Sequence, residues 1–122
     1  MLKLPSAQSD LRWLDLLPGA RVRVRPVTVA AIIVARADAG RVFRADEADA
    51  DPQTGAKATS AMVRSLARFA IAEWEGIGGD DDQPAGVTLE AIDALMSLWP
   101  AYDAFERLYV GPALAGETEK NG

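Results

Sequence analysis

The sequence predicts a mainly α fold of the α+β kind, in which an N-terminal β-hairpin packs on about four helices in a single small domain. A Pro-Gly dipeptide separates two short segments near the N-terminus, the second of which alternates apolar and basic residues. In the second half of the chain, apolar residues recur at helical spacing. No linker divides the 122 residues, and 49% apolar content is enough for one modest core.

The hairpin is expected at about residues 11–25, on either side of the turn at Pro18-Gly19. After the turn, Val22 and Val24 alternate with arginines, which is typical of a strand with one face in water. Because an isolated hairpin is not stable, helices are expected to cover the valine face. The sequence leaves the register of the first strand open between two core-facing pairs: Leu14 with Leu16, or Trp13 with Leu17.

A first helix is expected at about residues 28–38. Pro26 ends the strand, Thr28 can cap the helix by accepting hydrogen bonds from free amides, and Gly40 stops it. The β-branched residues of this segment are equally compatible with a strand, and the alanines together with the Pro-x-Thr start favour a helix. The segment from Asp46 to Gly55 is rich in Asp, Ala, Pro and Gly and is expected to be an exposed loop.

Three further helices are expected at about residues 59–75, 88–99 and 100–110, each with an apolar stripe at helical spacing. Glycines end the first of them, Thr88 caps the second, and Pro100 separates the second from the third. Residues 113–122 are expected to form a flexible tail. Trp74 and Trp99 stand where apolar stripes end and are expected to be structural.

The composition excludes several kinds of chemistry. The chain has no cysteine and no histidine, which removes disulfides, the usual zinc sites, thiol nucleophiles and the commonest acid–base group at neutral pH. The acidic clusters, at residues 46–51 and 80–82, lack the spacing of a calcium loop. We therefore expect that the protein is not an enzyme, and that it has no catalytic residue, no metal and no cofactor.

The N-terminal residues lack the apolar core of a signal peptide, and the longest apolar run, from Val27 to Ala35, is too short to cross a bilayer. The protein is expected in the cytoplasm, neither secreted nor membrane-bound. Residues 1–44 hold eight basic and three acidic residues, whereas the remainder holds five basic and fifteen acidic ones. This asymmetry is compatible with head-to-tail self-association as a homo-oligomer or with solubility alone.

Two groups of residues are candidates for binding a partner. Arg21, Arg23 and Arg25 are expected to line one face of the hairpin, either as a solvated edge strand or as a contact surface. A protein is the favoured target, since the chain is acidic overall and lacks the interleaved aromatics of a nucleic-acid surface. The second group is aromatic and forms either part of the core or an exposed groove for a partner helix: Trp99, Tyr102, Phe105 and Tyr109.

The C-terminal half also carries an ordered series of features that covers about 40% of the chain. A Trp-x-Gly segment, an acidic glycine-bearing loop and a proline precede a Leu-rich helix, an aromatic Phe-x-x-x-Tyr helix and a Glu-Lys-Asn end. In this order the chain resembles small phage tail assembly chaperones, and a shorter strand-Arg-Pro segment near the N-terminus is similar to theirs. The residues that carry the resemblance are Trp74-Glu75-Gly76, Gly78 to Asp82, Pro84, Thr88, Phe105, Glu106, Tyr109, Glu119-Lys120-Asn121 and, near the N-terminus, Val22 to Thr28.

The resemblance implies a small non-enzymatic factor from a prophage or a gene transfer agent. Such a factor binds the tape measure protein in the cytoplasm and helps tail tube protein subunits gather around it. No catalytic residue is implied. Two alternatives stay open: a structural minor tail protein, such as a tube or connector subunit, and a small DNA-binding regulator that uses the arginines of the hairpin.

Overall fold

The computed structural model describes residue 1 and residues 11–45 and 51–120, with side chains described as far as residue 115. It has a three-stranded antiparallel sheet and a mainly helical remainder in one small domain, which confirms the predicted α+β class. The elements in chain order are β1 (Arg12–Leu17), β2 (Ala20–Val24), α1 (Val29–Ala45), α2 (Thr54–Ala70), β3 (Ile71–Glu75), α3 (Leu89–Leu95), α4 (Trp99–Phe105), a π-helical turn (Glu106–Val110) and α5 (Gly111–Lys120).

The sheet has the order β1-β2-β3, so the hairpin has a third strand that the sequence did not predict. The helix expected at 59–75 is wrong at both ends, because α2 begins at Thr54 and Ile71 leaves helical geometry with ψ near 112°. From there β3 pairs with β2, placing Ile71 opposite Val24 and Trp74 opposite Val22. Pairing β3 along the open edge of β2 satisfies backbone groups that would otherwise face solvent, and this outweighs the continuation of the helical stripe.

The register of the hairpin is now fixed. Leu14 lies opposite Val22 on the face that packs on the core, and Leu16, in the bulge between Asp15 and Leu17, is also buried. Trp13 lies opposite Arg23 on the outer face. Leu14 and Leu16 are therefore the core-facing pair of β1, which is the first of the two registers that the sequence left open.

Helix α1 is longer than the 28–38 expected from the sequence. Thr28 caps it as predicted, accepting a hydrogen bond at Oγ1 from the backbone amide of Ala31 at 3.1 Å. Gly40 does not stop the helix, which continues to Ala45 while packing along α2. A glycine inside a helix costs only about 1 kcal/mol relative to alanine, and packing against a neighbouring helix can offset that amount.

The C-terminal helices also differ from their predicted bounds. Thr88 caps α3 by accepting a hydrogen bond from the amide of Ala91 at 3.0 Å, but α3 ends at Leu95 instead of 99. Helix α4 then begins at Trp99, with Pro100 in its first turn. The helical run does not end at Gly111-Pro112, and α5 occupies part of the expected tail. In the π turn the Gly111 amide bonds to the carbonyl of Glu106, and this wider turn accommodates the ring of Pro112.

The core lies between the sheet, α2 and α4. Its fully buried large side chains come from all three: Phe105, Leu66, Val22, Val24 and Val63. Trp74 packs against this core and donates a hydrogen bond from Nε1 to the carbonyl of Ala85 at 2.7 Å, which fixes the loop that follows β3. No helix within the described part of the chain has the length and apolar character that crossing a bilayer requires.

Candidate partner-binding surfaces

The four aromatic residues of the C-terminal candidate group divide into two pairs. Phe105 and Tyr109 are buried, with exposed fractions of 0% and 2%, and stack on each other with ring centroids 5.0 Å apart. They belong to the core, and a partner cannot contact them in this conformation. Trp99 is 69% exposed, so the prediction that it is structural is wrong, and Tyr102 beside it is half-buried. One pair builds the core and the other is available to a partner.

Trp99 is exposed because the helical run breaks between α3 and α4. Because α3 ends at Leu95, residues 96–98 form a turn, and Trp99 starts a new helix instead of continuing the apolar stripe of the old one. Trp99 stacks on Tyr102, with ring centroids 6.0 Å apart. The two rings therefore form one continuous aromatic surface beside the turn.

This aromatic surface forms one side of an open groove of about 540 Å³ between α2 and the α3–α4 turn. We call it the Trp99 groove. Its lining residues are Ala56, Thr59, Ser60 and Arg64 from α2, and Met96, Ser97, Trp99 and Tyr102 from the turn and α4. A concave surface that combines aromatic and aliphatic side chains with a few polar groups is typical of a binding site.

Arg64 gives the Trp99 groove a positive charge. Its guanidinium donates to the hydroxyl of Ser60 at 3.3 Å, to the carbonyl of Asp93 at 3.3 Å and to the hydroxyl of Ser97 at 3.1 Å. All three acceptors are neutral. The carboxylate of Asp93 is bound instead by Arg68, in two hydrogen bonds of 2.9 and 3.1 Å. Within the described residues the charge of Arg64 therefore has no acidic partner.

Tyr102 presents its hydroxyl in the protonated form. Burial raises the pKa of this group above its usual value, and the negative charge of Glu106 raises it further, against smaller opposing effects of Ser60 and Arg64. The side chain is thus a neutral hydrogen-bond donor or acceptor at physiological pH. Together with Trp99 it offers the mixed apolar and polar contact that is common at the centre of protein interfaces.

Arg21 and Arg23 lie on the central strand β2, not on an edge strand as the sequence suggested. Arg21 forms an ion pair of 2.8 Å with Glu75, and Arg23 forms one of 3.5 Å with Glu73. The Glu75 hydrogen bond raises the pKa of Arg21, which also stands over the ring of Trp13 at 4.2 Å. Two of the three charges are therefore balanced by β3.

Arg25 follows β2 and takes part in holding the fold together. Its Nη1 donates to the backbone carbonyl of Phe69 at 2.9 Å, and its own carbonyl accepts a hydrogen bond from the Tyr109 hydroxyl at 2.8 Å. The residue thus links the end of α2 to the π turn. The structure brings none of the three arginines into the Trp99 groove.

The described residues of the acidic clusters show no metal-binding geometry. The described residues contain no group of three or more acidic, histidine or cysteine side chains that could hold a metal ion. Residues 46–50, which include most of the first cluster, lie outside the described part of the chain. Asp51 bonds to Lys57 at 2.8 Å and to the Gln53 amide, and these bonds, the Lys57 bond first, lower its pKa.

A second surface was missed by the sequence reasoning. Four large apolar side chains of α1 are more than half exposed: Val29, Ile33 and Phe43 on the side that faces away from α2, and Val34 at the edge beside α2. We call this surface the α1 outer face. The available signal was the segment from Val29 to Ala35, which is apolar without interruption and therefore apolar on every side of a helix.

No family model, no curated protein and no solved structure matches the chain.

Proposed function

We propose that the protein is a non-enzymatic tail assembly chaperone of the phage type, encoded by a prophage or a gene transfer agent and acting in the cytoplasm of the bacterial host. In this proposal the Trp99 groove holds an apolar helical segment of a tape measure protein while tail tube protein subunits assemble around it. The order of residues from Trp74 to Asn121 supports the choice of family. The observation that carries the choice of site is the 69% exposure of Trp99 inside an open groove.

The properties of the groove suit such a ligand. A long helical protein with apolar stripes needs those stripes covered before assembly, and an amphipathic helix binds in a groove through side chains spaced about one turn apart. Trp, Tyr and Arg are the residue types that most often dominate the binding energy of an interface. The Trp99 groove contains one of each: Trp99, Tyr102 and Arg64.

A structural tail protein is the second candidate, and the α1 outer face favours it. A subunit that remains in a finished particle would bury exposed apolar side chains such as Ile33 against its neighbours. Mass spectrometry of purified particles distinguishes the two functions, since a chaperone is absent from them and a tube or connector subunit is present.

The DNA-binding alternative has less support. Phosphate contacts need basic side chains that are free to neutralise the backbone of the nucleic acid. The ion pairs of Arg21 with Glu75 and of Arg23 with Glu73 place acidic groups on the same face of the sheet. Retention on duplex DNA that falls steeply with salt would revive this alternative.

The chaperone proposal is tested by co-expression with the tape measure product of the same gene cluster. We expect the wild-type chain to keep that product soluble and to co-purify with it. Trp99→Ala should weaken the interaction at least about tenfold, because truncating a Trp that dominates an interface costs about 2 kcal/mol or more and about 1.4 kcal/mol already corresponds to tenfold. Leu89→Ala is the matched control, since Leu89 is 64% exposed and lies outside the groove.

Two outcomes would count against this proposal in different ways. Failure of the wild-type chain to co-purify with the tape measure product would contradict the chaperone function itself. Equal co-purification of wild type and Trp99→Ala would leave the function in place but remove the Trp99 groove as its site.

A further inference from the structure

The α1 outer face is unusual because the first half of the helix, from Val29 to Ala35, is apolar on both sides but is covered on one. Ala31 and Ala35 are buried where α1 packs along α2, while Val29 and Ile33 on the other side are 70% and 62% exposed. A helix that is apolar all round is normally enclosed on all sides. The apolar surface of α1 is therefore larger than the described part of the chain covers.

The exposed surface continues into a shallow groove between α1 and α2. This groove has a volume of about 230 Å³, and its lining includes Ala30 and Val34 from α1 and Phe69 from α2. It shares no lining residue with the Trp99 groove. The two surfaces thus form separate candidate sites on either side of α2.

The charged side chains of α1 itself give its outer face a net positive charge. Helix α1 carries Arg36, Arg41 and Arg44, which are exposed, and a single acidic residue, Asp38, which pairs with Arg41. Within the ranges 11–45 and 51–120, neither Arg36 nor Arg44 forms an ion pair. An apolar helix face bordered by uncompensated arginines is complementary to an apolar stripe bordered by carboxylates.

We propose that the α1 outer face is a docking site for an acidic amphipathic helix of a partner protein, separate from the Trp99 groove. The partner's apolar stripe covers Val29, Ile33 and Phe43, and its glutamates or aspartates pair with Arg36 and Arg44. A second copy of this chain fits less well, because a two-fold interface between α1 helices brings two positively charged surfaces together. The site therefore gives the chain a second, charge-selective partner contact.

The test uses two synthetic amphipathic helical peptides with the same leucine stripe, one bordered by glutamates and the other by lysines. Each carries a fluorescent label, and its binding to the full chain is followed by anisotropy. We expect the glutamate peptide to bind, and the lysine peptide to bind at least about tenfold more weakly. Affinity for the glutamate peptide should fall with added salt, because charge pairs contribute to it.

Four variants locate the site. The double variant Ile33→Gln with Phe43→Gln should weaken binding of the glutamate peptide at least about tenfold, and Arg36→Gln with Arg44→Gln should weaken it and flatten its salt dependence. Leu89→Gln and Trp99→Ala are controls and should leave it unchanged. All substituted side chains are exposed, so thermal melts should show that each variant remains folded.

Three results would overturn the proposal. The first is equal affinity, or none, for the two peptides. The second is loss of binding in Trp99→Ala but not in the α1 variants, which would assign the peptide to the Trp99 groove. The third is that the wild-type chain is a dimer in sedimentation equilibrium and that the double variant Ile33→Gln with Phe43→Gln is a monomer. In that case a second copy of the chain covers the α1 outer face. None of these measurements uses the tape measure protein, so they are independent of the chaperone test.

Discussion

Strand β2 and helix α1 are built from the same residue types, mainly Val, Ala and Arg, and use them in opposite ways. In β2, Val22 and Val24 are fully buried, and Arg21 and Arg23 form ion pairs with the neighbouring strand. In α1 four large apolar side chains are more than half exposed, and two of its three arginines form no ion pair with any described residue. The valines and two arginines of β2 thus find partners within the described residues, apart from the buried Nε of Arg23, which has no hydrogen-bond partner there, whereas the exposed side chains of α1 find few.

The difference separates side chains that stabilise the fold from side chains that remain exposed and available for association. Buried apolar surface and paired charges around β2 contribute to the free energy of folding. Exposed apolar surface on α1 contributes nothing to folding until something covers it, and it then contributes to association. Substitutions in the two regions should therefore have effects of different kinds, and the predictions below compare matched residues.

The largest contrast is expected between two phenylalanines. Phe105 is fully buried and stacks on Tyr109, whereas Phe43 on α1 is 53% exposed. Phe105→Ala should lower the free energy of unfolding by about 3–5 kcal/mol, because it leaves a cavity in the core. Phe43→Ala should change it by less than about 0.5 kcal/mol. Urea denaturation measures both, and a comparable loss in Phe43→Ala would mean that the α1 outer face is already covered in the free protein.

A pair of glycines gives the next contrast. Gly76 follows β3 with φ near +76°, and a Cβ at this position would collide with the backbone carbonyl of Gly19 in the hairpin turn. Gly76→Ala should therefore destabilise the fold by about 1–3 kcal/mol. Gly40 in α1 has ordinary helical geometry, and its Cβ would meet only the flexible end of Arg44, so Gly40→Ala should stabilise by about 0.5–1 kcal/mol. Thermal melts that shift in the same direction for both variants would contradict the comparison.

The next prediction concerns the hydrogen bond between Tyr109 in the π turn and Arg25, which follows β2. Its hydroxyl donates to the carbonyl of Arg25 at 2.8 Å, so Tyr109→Phe should cost about 0.5–1.5 kcal/mol at neutral pH. Burial raises the pKa of this hydroxyl to about 12, above the value near 10 of an unfolded tyrosine. The stabilisation linked to this protonated group is complete below pH 10 and is lost as the pH rises from 10 to 12.

The wild-type chain should accordingly lose stability more steeply than Tyr109→Phe across this alkaline range. Chemical denaturation at a series of pH values measures the two slopes. The other ionisable groups are common to both proteins, so parallel slopes would show that the Tyr109 hydroxyl does not have the raised pKa.

The smallest effects should come from the surface arginines. Arg21→Gln removes the ion pair with Glu75 and the contact with Trp13, and should lower stability by less than Tyr109→Phe does, since both partners are partly exposed. The loss should shrink at high salt. Arg44→Gln in α1 should cause no loss at either salt concentration. A greater cost for Arg44→Gln than for Arg21→Gln would reverse the contrast between the two regions.

The sequence predicts those parts of the fold that depend on local chemistry. The turn at Pro18-Gly19 and the caps at Thr28 and Thr88 are each decided by a few adjacent residues, and the structure has all of them. Strand β3 could not be predicted in the same way, because it continues an apolar helical stripe and its partner β2 lies far back in the chain. Its alternation of Ala72 and Trp74 with Glu73 and Glu75 is a signal for a strand, but five residues are too few to outweigh the stripe.

The Trp99 groove could be predicted only in part, because it too depends on contacts between distant parts of the chain. The density of aromatic residues drew attention to the segment from Trp99 to Tyr109, and the structure places two of its four aromatic residues, Trp99 and Tyr102, in an open groove. Which of them are exposed depends on how α4 meets α2 and the sheet, and spacing along one helix does not determine that. The α1 outer face was missed because apolar residues in a helix are normally assigned to the core.

The insertion of α1 and α2 between β2 and β3 has a consequence for the order of folding. The β1–β2 hairpin and the α1–α2 pair each join neighbouring segments, so both can form early. Strand β3 can complete the sheet only after the intervening chain has been compacted, since closing a long flexible loop is costly in entropy. We therefore expect formation of the α1–α2 pair to precede the docking of β3, because α2 runs directly into β3 and its position on α1 decides where the last strand begins.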